Sequence, residues 1–163
     1  MEFSKAEGYL LQISIYLREQ MDRNAYELSK DFVKKYPGEL LPHVLLAESA
    51  FRLQKYDECK VEARKALKFA QTEQDLRFCT MIFSTACFQL KDYIEGYDTL
   101  RTATAGKFIP EVEEILLVFA MAMADEKIAL HHMKNLMVLN RSRAMELMKQ
   151  YDAQMKKALP SPP

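Results

Sequence analysis

Apolar residues return every three or four positions along most of this chain, and short polar breaks interrupt them at regular intervals. Tyr9, Ile13, Tyr16 and Leu17, widened by Leu10 and Leu11, predict a helix over 7–20. Met21-Asp22-Arg23-Asn24 is a polar break in which Asp22 or Asn24 is placed to cap the next helix. Ala25, Leu28, Phe32 and Val33 predict a partner helix over 25–35, stopped by Tyr36-Pro37-Gly38, with glycine taking a left-handed cap. The alternation continues with helices over 41–53, 58–70, 76–90 and 94–104. Their breaks are the turn Lys55-Tyr56-Asp57-Glu58, the connector 71–75 and the segment 105–110. Pro110 and the acids Glu111, Glu113 and Glu114 suit the amino terminus of a helix over 112–124. Two further apolar stretches, 128–139 and 140–159, form either one continuous helix or two that part near Asn140-Arg141-Ser142.

Two stretches share one plan. Residues 42–67 and 78–104 each hold an apolar helix, a polar turn with an aromatic, and a second helix with small residues on one face. The turn aromatics, Tyr56 and Tyr93, are 37 positions apart, a period that belongs to two-helix repeat arrays. The expected fold is all-α, a right-handed α-solenoid of antiparallel helix pairs. Four Gly and six Pro in 163 residues agree with long helices rather than turn-rich sheet.

In register, the pairs resemble tetratricopeptide repeats. Counted from Ala6, the family's first-helix aromatics fall on Tyr9 and Tyr16, its small residue on Ala25 and its closing proline on Pro37. Counted from Leu40, the small positions are Ala47, Cys59 and Ala66, with Tyr56 at the turn; counted from Arg77 they are Ser84, Gly96 and Ala103, with Tyr93 at the turn. Ile13 and Phe32 stand in small-residue places, Gln71 replaces a closing proline, and the fourth pair lacks a turn tyrosine. The expected organisation is a single domain over 1–159. It comprises repeats at about 6–39, 40–76 and 77–109, a degenerate pair at 110–140, a carboxy-terminal helix over 141–159 and a Pro-rich tail at 160–163.

The resemblance implies that the first helix of each pair lines a partner-binding groove. The groove-facing places are Leu10, Ser14, Leu17 and Arg18; then Val44, Glu48, Phe51 and Arg52; then Met81, Thr85, Phe88 and Gln89. Lys and Asn are missing from the places where the family's heat-shock co-chaperones read a terminal carboxylate. A mainly apolar groove suits a helical or extended apolar segment of a protein partner. Phe51 and Phe88 serve equally well as groove or as internal packing, and the groove could be filled by the chain's own last helix or by a second copy. Three repeats in a chain of this size also match, in plan only, the small cytosolic chaperones of type III secretion. Seven of the ten methionines follow residue 120, which gives either an irregular core or a deformable surface. Leu130, Met133, Met137, Asn140, Ala144, Leu147 and Tyr151 step by three and four, as a coiled-coil seam or a capping helix would.

Charge and chemistry narrow the picture further. Lys plus Arg equals Asp plus Glu at 23 each, which removes the electrostatic case for nucleic acid. The longest apolar run, 115–124, is too short to cross a bilayer, so no membrane insertion is expected. Cys59, Cys79 and Cys87 form no paired framework, and the amino terminus lacks an apolar leader, so a reducing cytoplasmic location is expected. His131 and His132 are adjacent and point about 100° apart on a helix, which does not suit a shared metal. His131 is expected to be solvent-facing or partly buried. The four glycines are isolated, so no phosphate loop is present. The expectation is a non-enzymatic adaptor or chaperone-like module that takes no cofactor. Its rival is a constitutive subunit or homo-oligomer using the same groove as a permanent interface.

Overall fold

The computed structural model describes the backbone of residues 5–158 and side chains as far as Asp152, and every regular element among them is an α-helix. In order these are α1 (Lys5–Arg18), α2 (Asp22–Lys35), α3 (Leu40–Arg52), α4 (Tyr56–Phe69), α5 (Glu73–Leu90), α6 (Tyr93–Ala103), α7 (Pro110–Ala122), α8 (Glu126–Leu139) and α9 (Arg141–Ala158). Leu159, the Pro-rich tail and the side chain of Met155 lie outside the described residues. The chain divides into two compact units, 1–105 and 106–163. In the first, α1 packs on α2, α3 on α4 and α5 on α6, and successive pairs stack through α2 on α3 and α4 on α5. In the second, α8 packs against both α7 and α9.

Local chemistry moves several boundaries from their expected places. Helix α5 starts at Glu73, ahead of the expected Leu76. Thr72 Oγ1 accepts from the Asp75 backbone N–H at 3.1 Å, and Asp75 Oδ2 accepts from the Thr72 N–H at 2.9 Å. This reciprocal capping box turns most of the expected connector into the first helical turn. The same backbone N–H of Thr72, with its hydroxyl, holds the Asp75 carboxyl below its ordinary value. Neither Asp22 nor Asn24 caps α2: the cap is Met21, with no side-chain cap bond, and the Asp22 carboxylate sits 3.7 Å from Arg52 instead. Gly38 does not take the left-handed conformation; α2 closes when Tyr36 N–H bonds Phe32 O at 2.9 Å. The last two helices part at Asn140, whose Oδ1 accepts from the Arg143 N–H at 3.1 Å. That break excludes a continuous seam from Leu130 to Tyr151. Leu136 and Ala144 instead bury together against Leu117.

One turn recurs four times. Gln20, Gln54, Lys91 and Ala124 take φ of 59°, 59°, 60° and 56°, each between the two helices of a pair. In each turn the left-handed residue bonds three residues back, and its successor bonds five back. For the second pair these are Gln54 N to Phe51 O and Lys55 N to Ala50 O, both 2.9 Å. The paired bonds satisfy carbonyls that the end of a helix leaves open. The fourth pair makes the same turn without a tyrosine, so the repeat is kept in the backbone where the side-chain motif has gone. Left-handed φ costs a residue with a Cβ about 1–2 kcal/mol, of which glycine returns about 0.5–1 kcal/mol through its freer unfolded chain. Ala124→Gly is therefore expected to stabilise the protein by about 0.5–1 kcal/mol. A urea midpoint that stays level or falls would contradict this account of the turn.

These four turns also align the helix crossings. The residue eleven before each left-handed position is Tyr9, His43, Thr80 and Glu113, and the residue eight after it is Leu28, Glu62, Thr99 and His132. In the second pair, buried His43 places Nδ1 2.6 Å from Glu62 Oε2, while its Nε2 donates to Pro37 O at 2.9 Å. Lys65 Nζ donates to the other Glu62 oxygen at 2.7 Å. In the fourth pair the polarity is inverted: Glu113 lies on α7, and His132 Nδ1 from α8 approaches its Oε2 at 2.8 Å. Asn135 donates to the same oxygen at 3.1 Å. Burial raises the Glu113 carboxyl, but hydrogen bonds from His132 and Asn135 outweigh it and hold the group below its ordinary value. His43 and His132 are thus buried structural partners, whereas His131 faces solvent. In the first pair an aromatic cluster takes the place of a polar contact. Tyr9 stacks on Phe32 at 4.9 Å and 3°, and Tyr36 meets Phe32 edge-on at 5.4 Å. That cluster is how the first pair accommodates Phe32 in a small-residue place.

Candidate partner-binding surface

The small-residue positions do what close helix packing requires. Ala47, Cys59 and Ala66 are fully buried; at the corresponding places of the third pair Ser84 and Gly96 are buried and Ala103 is half-buried. At the corners, Phe51 meets the Tyr56 ring at 5.5 Å and Phe88 meets Tyr93 at the same distance. Both phenylalanines are half-buried by their turn tyrosines, so each divides its surface between the corner and the outside.

The remaining expected groove residues separate into three kinds. Leu17 and Val44 are 7% and 4% exposed and belong to the interior, and Leu10 packs half-buried against the cluster of Ile13, Leu17 and Phe32. Burial follows from phase: these side chains point along the α1 and α3 faces that meet neighbouring helices. A second kind is polar and already engaged. Arg52 donates through Nη1 to Leu17 O and through Nη2 to Glu48, both at 2.9 Å, tying α3 to the end of α1. Among the described residues Arg18 pairs with its exposed neighbour Glu19 at 3.2 Å, and Thr85 donates to Met81 O at 2.7 Å. The third kind is free surface: Met81, 51% exposed, with Ser14 and Gln89.

Two further apolar residues, absent from the expected groove set, join Met81. Phe78 is 42% exposed and Leu41 is 38% exposed. Each lies thirteen positions before its left-handed turn residue, Leu41 before Gln54 and Phe78 before Lys91. They occupy equivalent places on α3 and α5, helices that pack against each other. Phe78 precedes Met81 by three and Ile82 by four, a one-face spacing visible in the sequence. A helix expected to begin at Leu76 leaves Phe78 in its first turn, where phase is poorly defined; the true start at Glu73 supplies it.

Chemistry at the three thiols is suppressed. Burial pushes Cys59 to about 12, Cys79 to about 11 and Cys87 to about 12, and all three are free and buried. Among the described residues no group of three His, Cys, Asp or Glu is placed to hold a metal ion. No described helix is long and apolar enough to cross a membrane.

The architecture is that of an all-α, tetratricopeptide-like helical-repeat protein. Solved structures agree at the level of fold. The chain is similar to MamA 41-end from Desulfovibrio magneticus RS-1, with a TM-score of 0.64 and 13% identity over 86% of this chain and 78% of that one. It is equally similar to the MamA RS-1 ArsTM double mutant, at 0.64 and 12% over the same shares. No protein-family model matches the sequence, and no curated protein matches it.

Proposed function

We propose that this protein is a non-enzymatic interaction module whose first unit holds an apolar helical or extended segment of a partner protein. The observation that carries this reading is the recurrence of exposed apolar side chains, Leu41 and Phe78, at matched places on adjacent helices, with exposed Met81 one turn beyond Phe78. Bulky apolar groups exposed on two adjacent helices present apolar surface that water solvates poorly and a partner's apolar side chains would cover. The helical-repeat fold shared with the MamA structures supports a scaffold rather than a reaction centre. The zero formal net charge supports a protein partner over nucleic acid. The three free, buried thiols support a reducing, cytoplasmic setting.

The test is affinity capture from native extract with wild type beside a Phe78→Glu, Met81→Glu double variant. Both side chains are substantially exposed, so helix content should be kept, whereas Phe51 and Phe88 would disturb the corner packing. A discrete partner, depleted about tenfold or more in the variant, is the expected result. Identical partners for both forms, or capture of the protein's own copies alone, would reject this surface and favour a constitutive subunit.

A further inference from the structure

The second unit has a cleft of its own, about 550 Å³, lined by α7, α8 and α9. Leu117 of α7 lies at its base, buried with Leu136 and Ala144, and Met121 and Met133 pack half-buried on that cluster. Leu130 and Met148 stand at the mouth, 56% and 43% exposed. Among the described residues, the charged groups lining the cleft are both acidic, Glu126 and Asp152. Neither forms an ion pair with a described cation. The amino terminus of α8 favours Glu126 on its own account. Asp152 lies well inside α9, where no such dipole explains it.

We propose that this cleft docks a basic amphipathic helix of another protein. Its bulky apolar side chains would enter between Met121, Leu130, Met133 and Met148, and flanking Lys or Arg would meet Glu126 and Asp152. Methionine suits this role because an unbranched, polarizable chain reshapes around different apolar partners. An apolar floor with a rim of one charge sign selects apolar helices of the opposite sign. Every described lining residue belongs to the second unit, so the inference is independent of the apolar residues on α3 and α5.

The chain contains no tryptophan, so a probe carrying one reports alone. The probe is an amphipathic Leu/Lys peptide of roughly 18 residues, about five helical turns, with a single Trp on its Leu face. The control replaces every Lys with Glu. The full chain should shift the probe's emission to the blue and bind it about tenfold or more tighter than the control at about 0.1 M salt. Leu130→Glu should weaken the Leu/Lys peptide about tenfold with helicity unchanged. Glu126→Lys with Asp152→Lys should invert the preference between the peptides. Equal binding of both peptides, or a preference that survives the charge reversal, would overturn the proposal. Loss of binding in Phe78→Glu, Met81→Glu rather than in Leu130→Glu would assign the peptide to the first unit and overturn it equally. A self-associated form dissolved by Leu130→Glu would overturn it too, by showing that a second copy occupies the cleft.

Discussion

Glu62→His and His43→Glu are each expected to destabilise the protein by about 3–5 kcal/mol, the usual cost of breaking a buried charge pair from one side. Exchanging both residues should recover about a third of the summed loss. The physical case is local. His43 and Glu62 sit buried in the second helix pair, 2.6 Å apart. Glu62→His would leave two imidazoles in contact with no carboxylate, and His43→Glu would bring two carboxylates together. In the fourth pair the same two positions hold Glu113 and His132 in the opposite order, 2.8 Å apart. The helix crossing therefore accepts either polarity provided the two groups match. Full recovery is not expected, because the exchange removes the donor to Pro37 O and the acceptor of Lys65. Urea unfolding of the wild type, both single variants and the exchange gives the coupling directly, with about 2–3 kcal/mol expected. A coupling near zero would mean that Pro37 and Lys65, and not the pair itself, set the polarity. Acid bears on the fourth pair in a defined direction. Glu113 is held below its ordinary value near 4.5, so its contribution is fully present above that pH and is lost as the pH falls through the lowered value.

Phe83→Ala should cost about 3–5 kcal/mol, while Phe78→Ala on the same helix should cost less than about 1 kcal/mol. Phe83 is fully buried in α5, and the Arg64 guanidinium of α4 lies 5.7 Å from its ring centre. Truncation removes transfer energy and leaves a cavity that two stacked helices cannot close without moving. The expected loss is a large share of the roughly 5–15 kcal/mol that holds a domain together. Phe78 lies on another side of α5 and is substantially exposed, so truncation there removes surface rather than core. The functional effects should run the other way, with Phe78→Ala weakening partner capture and leaving the unfolding transition nearly in place. If both variants lose stability alike, Phe78 is packing and the apolar surface on α3 and α5 is not a binding face.

Helix existence, pairing and approximate extent were legible in the chain, because apolar spacing of three and four and short polar breaks depend on sequence alone. Ala47, Cys59 and Ala66 could likewise be read as close-contact positions, since only small side chains let helices approach. Helix phase was less legible. Leu17 and Val44 share an apolar character with Met81, and only stacking against neighbouring helices buries the first two and leaves the third in water. The Thr72–Asp75 box and the Asn140 break could have been found from capping chemistry. The left-handed turns could not, since Gln20, Gln54, Lys91 and Ala124 share no side-chain property that signals positive φ. The inverted His–Glu pairs were equally hidden. Two residues 19 apart become partners only when a turn of fixed geometry folds one helix onto the other. By itself the sequence determined an all-α repeat of paired helices, because periodicity and side-chain size act locally along one helix. Tertiary packing alone decided which apolar residues face water and which charges meet, because those depend on how each helix is rotated against its neighbours.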